Sequence, residues 1–396
     1  MSKKSDIVIV GAGLIGTSFA LSIAQADFSI RILENHLPDV LSQANTHSRP
    51  ISLSYGSYRI LNTLGVWSEL EKNACPILSV HVSEKGKLGV THFSAKEENI
   101  PALGFVVPFS VLQLALYQHA ASRKNITVTS IQTIEKINNH VNGVDIKIKT
   151  NNGDETIFAD LLVAADGTQS HCRELLKINH AEKKSGDVAH IYQLTLSEQH
   201  NHTAYERFTN CGVLALLPLF EKNKAQLVWT ITPRVAKKMA AWNHDAILYF
   251  LQETFEGRLL IADAKKITEF PLKTVIAKKQ IAQSAVLLGN AAHTIYPVAA
   301  QGFNLGLHDV AILANILMKA KKNNKRIEEW SLLKKYEEQI NDHQQAIFCV
   351  TNSLTSIFEL PFIGNLRGLG LLTTDLMHPI KKKLVNRAMG NTNEKI

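Results

Sequence analysis

Three glycine-punctuated turns hold the residues whose types and spacing could do chemistry. In DIVIVGAGLIGTSFA, Gly11, Gly13 and Gly16 form G-x-G-x-x-G between an apolar run and a helical stretch, and Glu34 ends the next run, SIRILE, 18 residues beyond Gly16. Glycines at that spacing permit a tight turn and a close approach of a pyrophosphate to a helix N-terminus, where free N–H groups and the helix dipole favour negative charge. An acid about 20 residues further on can accept hydrogen bonds from adenosine ribose hydroxyls. Strand, helix and acid together favour dinucleotide binding over a structural turn and leave FAD and NAD undistinguished.

The second turn is Asp166-Gly167 in LLVAADGTQSHCR, where an apolar strand ends; Asp-Gly also ends strands for purely structural reasons. The third lies in AVLLGNAAHTIYPVAAQGFNLGLHD, where a strand reaches Gly289-Asn290 and Gln301-Gly302 with Asn304 then starts a helix. Free N–H groups at such a start would face a ligand. A packed turn and a binding turn are equally compatible with this stretch alone.

Elements must hold these turns in place. Residues 6–10 read as a strand, Thr17–Ala26 as a helix and SIRILE as a second strand, a βαβ unit. SRPISLSYGSYRILNTLGVWSELEK predicts a short strand and an amphipathic helix with Ile60, Leu61, Leu64 and Trp67 at helical spacing; ILSVHVSEKGKLGVTHF predicts a hairpin turning at Lys85-Gly86. Residues 126–165 and 186–234 read as strands, Trp242–Thr254 and Asn304–Lys319 as helices, with a helical tail to about Met389. The pattern is α/β.

Composition narrows the class. At 396 residues, 45% hydrophobic and 20% charged, the chain is globular rather than disordered. The formal charge of +8 is carried by dispersed lysines without aromatic-basic interleaving, which argues against nucleic acid as a partner. Cys75, Cys172, Cys211 and Cys349 are scattered, with no C-x-x-C pair and no His at zinc-ligand spacing, so no metal is expected and a reduced, cytoplasmic compartment fits. Asp6 and the following glycines make the first apolar run too short for a signal peptide, and no run approaches the roughly 18 apolar residues of a membrane span.

The three turns in this order resemble the FAD-dependent aromatic hydroxylases of the p-hydroxybenzoate hydroxylase fold, over nearly the whole chain. The resemblance implies that Gly11, Gly13, Gly16 and Glu34 hold the ADP half of FAD, that Arg49 in SRPISL and Gln113 in VLQLAL approach the cofactor, and that Asp166 and Gly167 match a motif associated with FAD and NAD(P)H. Gly289-Asn290 would hold the ribityl chain, Pro297 would shape the loop beside the ring, and the helix near Gly302 and Asn304 would face the pyrimidine end of the flavin. Asn290 stands where the family usually has Asp, and Ala300 where a glycine is common. VHVSEKGKLG, YERFTNCGVLALLPL, QLVWTITP and NLRGLGLLTTDLMHPIKKKLVNRAMG resemble the ubiquinone-biosynthesis branch, and within it the 2-polyprenyl-6-methoxyphenol hydroxylases, whose members can carry this Asn.

That family implies a Rossmann-like FAD-binding domain interleaved with a mainly antiparallel-sheet substrate domain, plus a helical C-terminal tail. The FAD-binding parts would be 1–75, 105–180 and 275–345; the substrate domain 76–104 and 181–274; the tail 346–396. It also implies a reaction in which NAD(P)H reduces FAD, O2 adds to give a flavin C4a-hydroperoxide, and the ring of a polyprenylated methoxyphenol is hydroxylated. No catalytic base is identified: His293, His308 and Tyr296 lie near the third turn, where a structural role is the commoner reading. VLALLPL and LVWTITP suit a prenylated ring or, more simply, a sheet core. The tail, with Lys381, Lys382, Lys383 and Arg387, suits an anionic lipid surface or a partner in a ubiquinone-biosynthesis complex, and equally a packed helix with a solvated basic face. Alternatives are hydroxylation of another ring position or of a small aromatic acid, and a non-catalytic subunit of such a complex.

Overall fold

The computed structural model describes residues 4–37, 48–87, 89–296 and 301–359. Its first sheet is centred on parallel strands in the order Ala285–Leu287, Gly153–Ala164, Ser5–Val10, Ile30–Glu34 and Ile126–Ser130. The runs are apolar without alternation because both faces are covered. Ile7, Ile9, Ile32 and Val163 pack under the helices Leu14–Ile23, Phe109–Ala121 and Gln301–Lys322. Val8, Leu33, Leu162 and Leu287 face the antiparallel ribbon Thr133–His140 and Gly143–Thr150, through Ile134, Val144, Ile146 and Ile148.

The second sheet is mainly antiparallel, in the order His293–Thr294, Ile261–Ala277, His180–Leu196, Lys224–Ile231, Gly212–Pro218, Thr203–Thr209, Ser79–Glu84 and Val90–Ser94. Its chain alternates faces. Leu214, Leu216, Leu227 and Trp229 pack against the helices Pro233–Met239 and His244–Phe255, so half of VLALLPL and LVWTITP is core, as the simpler reading expected. A third, three-stranded sheet, Pro50–Ser54, Gly104–Pro108 and Cys75–Ile77, stands where the chain passes into the second.

Several element ends differ from the sequence reading. The first helix starts at Leu14 and finishes in a 3-10 turn, Ala24–Ala26, stopped by Asp27 at φ 53°. Trp67 falls in a separate short helix, Trp67–Leu70, because Gly65 at φ 78° ends the helix Tyr55–Thr63. The helix expected from Asn304 starts at Gln301, and the one expected from Trp242 starts at His244 behind Asn243, whose side chain accepts the Ala246 N–H. A helix spans Trp330–Glu359; the rest of the tail lies outside the described residues.

Candidate cofactor site at the strand ends

The parallel strands end level. Val10 pairs with Leu33 on one side and with Ala164 on the other, and Ala164 pairs with Leu287. Hydrogen bonds carry this alignment into the turns: Gly11 N–H to Leu33 O, Ala165 N–H to Val10 O and Leu288 N–H to Ala164 O, each 2.8 Å. Gly11, Glu34, Asp166 and Gly289 thus stand along one edge, the carboxyl end of an open α/β sheet, where such sheets bind ligands.

The three glycines of the first turn serve different ends. Gly11 has φ 104°, and a Cβ there would lie 2.5 Å from the Ala165 carbonyl oxygen; a Cβ on Gly16 would overlap the Gly11 carbonyl. Both are required by the protein's own packing. Gly13 has φ −73°, and a Cβ there would meet nothing within 4 Å. No contact among the described residues demands a glycine there, and the space it leaves open lies over the start of the helix Leu14–Ile23, which has no side-chain cap among those residues. The first-turn N–H groups of that helix are therefore available to an anion. Glu34 is held beside them: Oε2 accepts the Ala12 N–H at 2.6 Å and Oε1 accepts the His36 N–H at 3.0 Å. A carboxylate so placed keeps lone pairs for ribose hydroxyls. These residues fit a dinucleotide cofactor.

Asp166 shapes its own loop. Its Oδ1 accepts from Ser170 Oγ at 2.6 Å and its Oδ2 from the Cys172 N–H at 2.9 Å, capping the helix His171–Leu175. Gly167 turns the chain at φ 84°. The sequence reading missed Arg173, which is 3% exposed. Its guanidinium donates to Ala291 O at 2.8 Å and to Thr168 O at 3.1 Å, clasping the second turn to the third. The one signal for it is a charged residue in a helix whose neighbour Cys172 is buried.

Gly289 begins a short 3-10 turn at φ 57°. Asn290 is exposed at the edge, and its amide donates to Thr168 Oγ1 at 3.4 Å, a hydroxyl that also accepts from Thr294 Oγ1 at 2.9 Å. Pro297 and Ala300 lie outside the described residues. Gly302 sits in the first turn of the helix Gln301–Lys322, where a Cβ would make an ordinary contact with Ile295 Cγ1 at 3.9 Å. Asn304 turns inward instead: its Oδ1 accepts from the Ser54 N–H at 2.9 Å and from Ser57 Oγ at 2.7 Å, and its Nδ2 donates to Ser52 O at 3.1 Å. That side chain fastens the helix to the three-stranded sheet. Arg49 lies over the Phe109 ring at 4.6 Å, and Gln113 is half-buried on the helix Phe109–Ala121.

Two titratable groups near the third turn, His293 and Tyr296, are engaged by carboxylates of the chain. His293 and Asp309 are fully buried, with His293 Nε2 2.7 Å from Asp309 Oδ2, which also accepts from Gln344 Nε2 at 2.8 Å. Burial pushes the Asp309 carboxyl up, but the His293 hydrogen bond and the positive potential of His293 and His308 outweigh it, leaving the group below the ordinary carboxylate range. Tyr296 donates to Asp187 Oδ2 at 2.7 Å, tying the segment before Pro297 to the second sheet. A polar cavity of about 460 Å³, lined by Lys4, Asp160, Lys321 and Arg326 among others, lies at the opposite, amino-terminal end of the parallel strands.

On the second sheet, the face turned away from its two helices carries Val213, Ala215, Leu217, Gln226, Val228 and Thr230, paired across neighbouring strands as Val213 with Thr230, Ala215 with Val228 and Leu217 with Gln226. Gln226 is 5% exposed, and its Nε2 has no hydrogen-bond partner among the described residues.

Comparison with known proteins agrees with this architecture. A sequence-family profile described as FAD binding domain matches residues 4–351. The chain is 28% identical to a 3-demethoxyubiquinol 3-hydroxylase of Escherichia coli over 397 residues, covering 98% of this chain and 99% of that protein. It is 27% identical to the ubiquinone hydroxylase UbiL of Rhodospirillum rubrum, covering 98% and 90%. Among solved structures, p-nitrophenol 4-monooxygenase PnpA of Pseudomonas putida superposes with a TM-score of 0.77 at 14% identity, covering 99% of this chain and 100% of that one, which shows a shared fold.

Proposed function

Because the chain belongs to the FAD-binding-domain family, we propose that it is an FAD-dependent monooxygenase that hydroxylates the ring of a polyprenylated methoxyphenol in ubiquinone biosynthesis, with NAD(P)H as electron donor and O2 as oxygen source. The observation that carries the reading is the convergence of three separate turns on one sheet edge, with Gly13 left open where no packing demands a glycine. The relatives' names supply the pathway.

Bound FAD would supply hydride acceptance from NAD(P)H and activation of O2. The chain's residues do the rest. The Leu14–Ile23 N-terminus and the Gly11–Gly16 turn receive the pyrophosphate, and Glu34 accepts from the adenosine ribose. Asn290, aligned by Thr168, offers an amide oxygen and N–H to the ribityl hydroxyls. The Gln301–Lys322 N-terminus, which includes Gly302, places N–H groups at the ring. Val213, Ala215 and Val228 form an apolar wall that keeps water from the reacting ring, and Gln226 Nε2 donates to the phenol oxygen as charge develops there.

A prenylated substrate is membrane-soluble, so it needs a route to the site. Among the described residues no helix is long and apolar enough to cross a membrane. We assign delivery to peripheral contact of the tail around Lys381, Lys382, Lys383 and Arg387 with anionic lipid, or with a partner that presents the lipid.

The experiment is the quinone-precursor profile of lipid extracts from a strain lacking this gene, before and after restoration. Accumulation of a polyprenyl-methoxyphenol that disappears on restoration supports the reading. Accumulation of a demethoxyubiquinol would move the reaction to the ring position in the E. coli relative's name, and an unchanged ubiquinone pool would remove the pathway assignment.

A further inference from the structure

The fold gathers three metal-ligating side chains that the sequence keeps apart. Cys75, at the start of the strand Cys75–Ile77, meets His200 and His202 from the loop before the strand Thr203–Thr209, and one ligand atom from each lies within 4.8 Å of the others. Cys75 Sγ is 3.5 Å from His202 Nδ1. Metal–sulfur and metal–nitrogen bonds of about 2.3 and about 2.0 Å at the tetrahedral angle give an S···N edge of about 3.5 Å. The observed edge fits.

Backbone contacts set the tautomer of His200. Its Nε2 lies 2.9 Å from Leu219 O, so the proton sits there and Nδ1 keeps its lone pair. A ring N–H given to a backbone carbonyl is the usual outer support of a metal-bound histidine. The Nδ1 lone pair accepts the His202 N–H at 3.0 Å. The connecting residues Asn201 and His202 both adopt left-handed backbone, φ 48° and 56°, a cost that side chains other than glycine bear where surroundings or function demand it. Cys75 and His200 are 1% and 3% exposed, while His202 is partly open to solvent and provides the entry.

We propose that Cys75, His200 and His202 form a binding site for a borderline-soft cation of the Zn2+ class, which staples the three-stranded sheet to the second sheet. Thiolate and imidazole are the donors such ions prefer, and three protein ligands leave the fourth position for water on the His202 side. On binding, the Cys75 thiol gives its proton to solvent and forms a sulfur–metal bond, and His200 Nδ1 exchanges the His202 N–H for the metal. Burial pushes the Cys75 thiol up to about 12 in the metal-free protein. The site stands apart from the strand-end turns and does not depend on the hydroxylase reading.

The test is Co2+ titration of the full-length, reduced, metal-stripped protein, followed by Zn2+ displacement. The expected result is one Co2+ per chain with a thiolate-to-cobalt charge-transfer band, bleached by Zn2+ and absent in Cys75→Ser. His202→Asn, whose side chain tolerates left-handed backbone, should weaken Co2+ more than about 10-fold. It decides the matter if Cys75→Ser does not fold. No charge-transfer band at one equivalent would leave a thiol–imidazole hydrogen bond only and overturn the proposal; so would a band that both variants retain.

Discussion

Ile15 fills the space that a side chain on Gly289 would need: a Cβ at Gly289 would lie 2.8 Å from Ile15 Cγ1, and a Cβ at Gly306 would lie 2.8 Å from Ile15 Cδ1. The last variable residue of the first glycine turn is therefore the packing partner of the third turn. Gly289→Ala should destabilise through this contact and through φ 57°, the latter by about 1–2 kcal/mol. Ile15→Ala combined with Gly289→Ala should regain the steric part and not the backbone part. Thermal melts of the two single variants and the double variant would check this, and strict additivity would contradict it.

Gly13 and Gly16 should respond oppositely to substitution. A Cβ at Gly13 meets no described atom within 4 Å, so Gly13→Val should change apoprotein stability by at most about 1 kcal/mol, the scale of an N-cap effect, while flavin content falls to background. Gly16→Ala should unfold or strongly destabilise the chain, because its Cβ overlaps the Gly11 carbonyl. Flavin absorbance and melting temperature separate the two. A Gly13→Val protein with full flavin content would remove the assigned pyrophosphate position.

The Arg173 clasp makes a graded prediction. Arg173→Met leaves the Ala291 and Thr168 carbonyls without their donor, at about 1–3 kcal/mol for each carbonyl left buried and unpaired. Arg173→Lys can satisfy one of them and should fall between the wild type and Arg173→Met. Both should loosen flavin binding, read by equilibrium dialysis, since the two turns lose their mutual alignment.

Asp309 predicts an acid-sensitive term. Its folded carboxyl is held below the ordinary range, so its contribution is fully present above the unfolded value, about 3.9, and is lost as pH falls through the depressed folded value. Asp309→Asn should cost about 1.5–3 kcal/mol at neutral pH through the weakened His293 bond. Denaturant melts of wild type and variant should converge as the pH is lowered through the acid range. A gap that widened with acid would reverse the assigned sign.

The sequence by itself determined the parts whose physics is local. Apolar runs of a given length make buried strands, so the βαβ unit, the hairpin around Lys85-Gly86 and the strand character of 186–234 were legible. The strand-to-helix turn at Gly11, Gly13 and Gly16 and its contact with Glu34 follow a short-range spacing, so they too were legible. Helix ends were less so, since capping by Asn243 or a stop at Gly65 competes with periodicity over one or two residues. Tertiary structure decided everything that depends on which distant atoms meet. It turned Asn304 toward Ser52, Ser54 and Ser57, which lie some 250 residues away, gave Asp166 to its own loop, and made Arg173 a clasp. It also brought Cys75 to His202 across 127 residues, a pairing no spacing rule can detect because ligand geometry is set by strand register rather than by chain order.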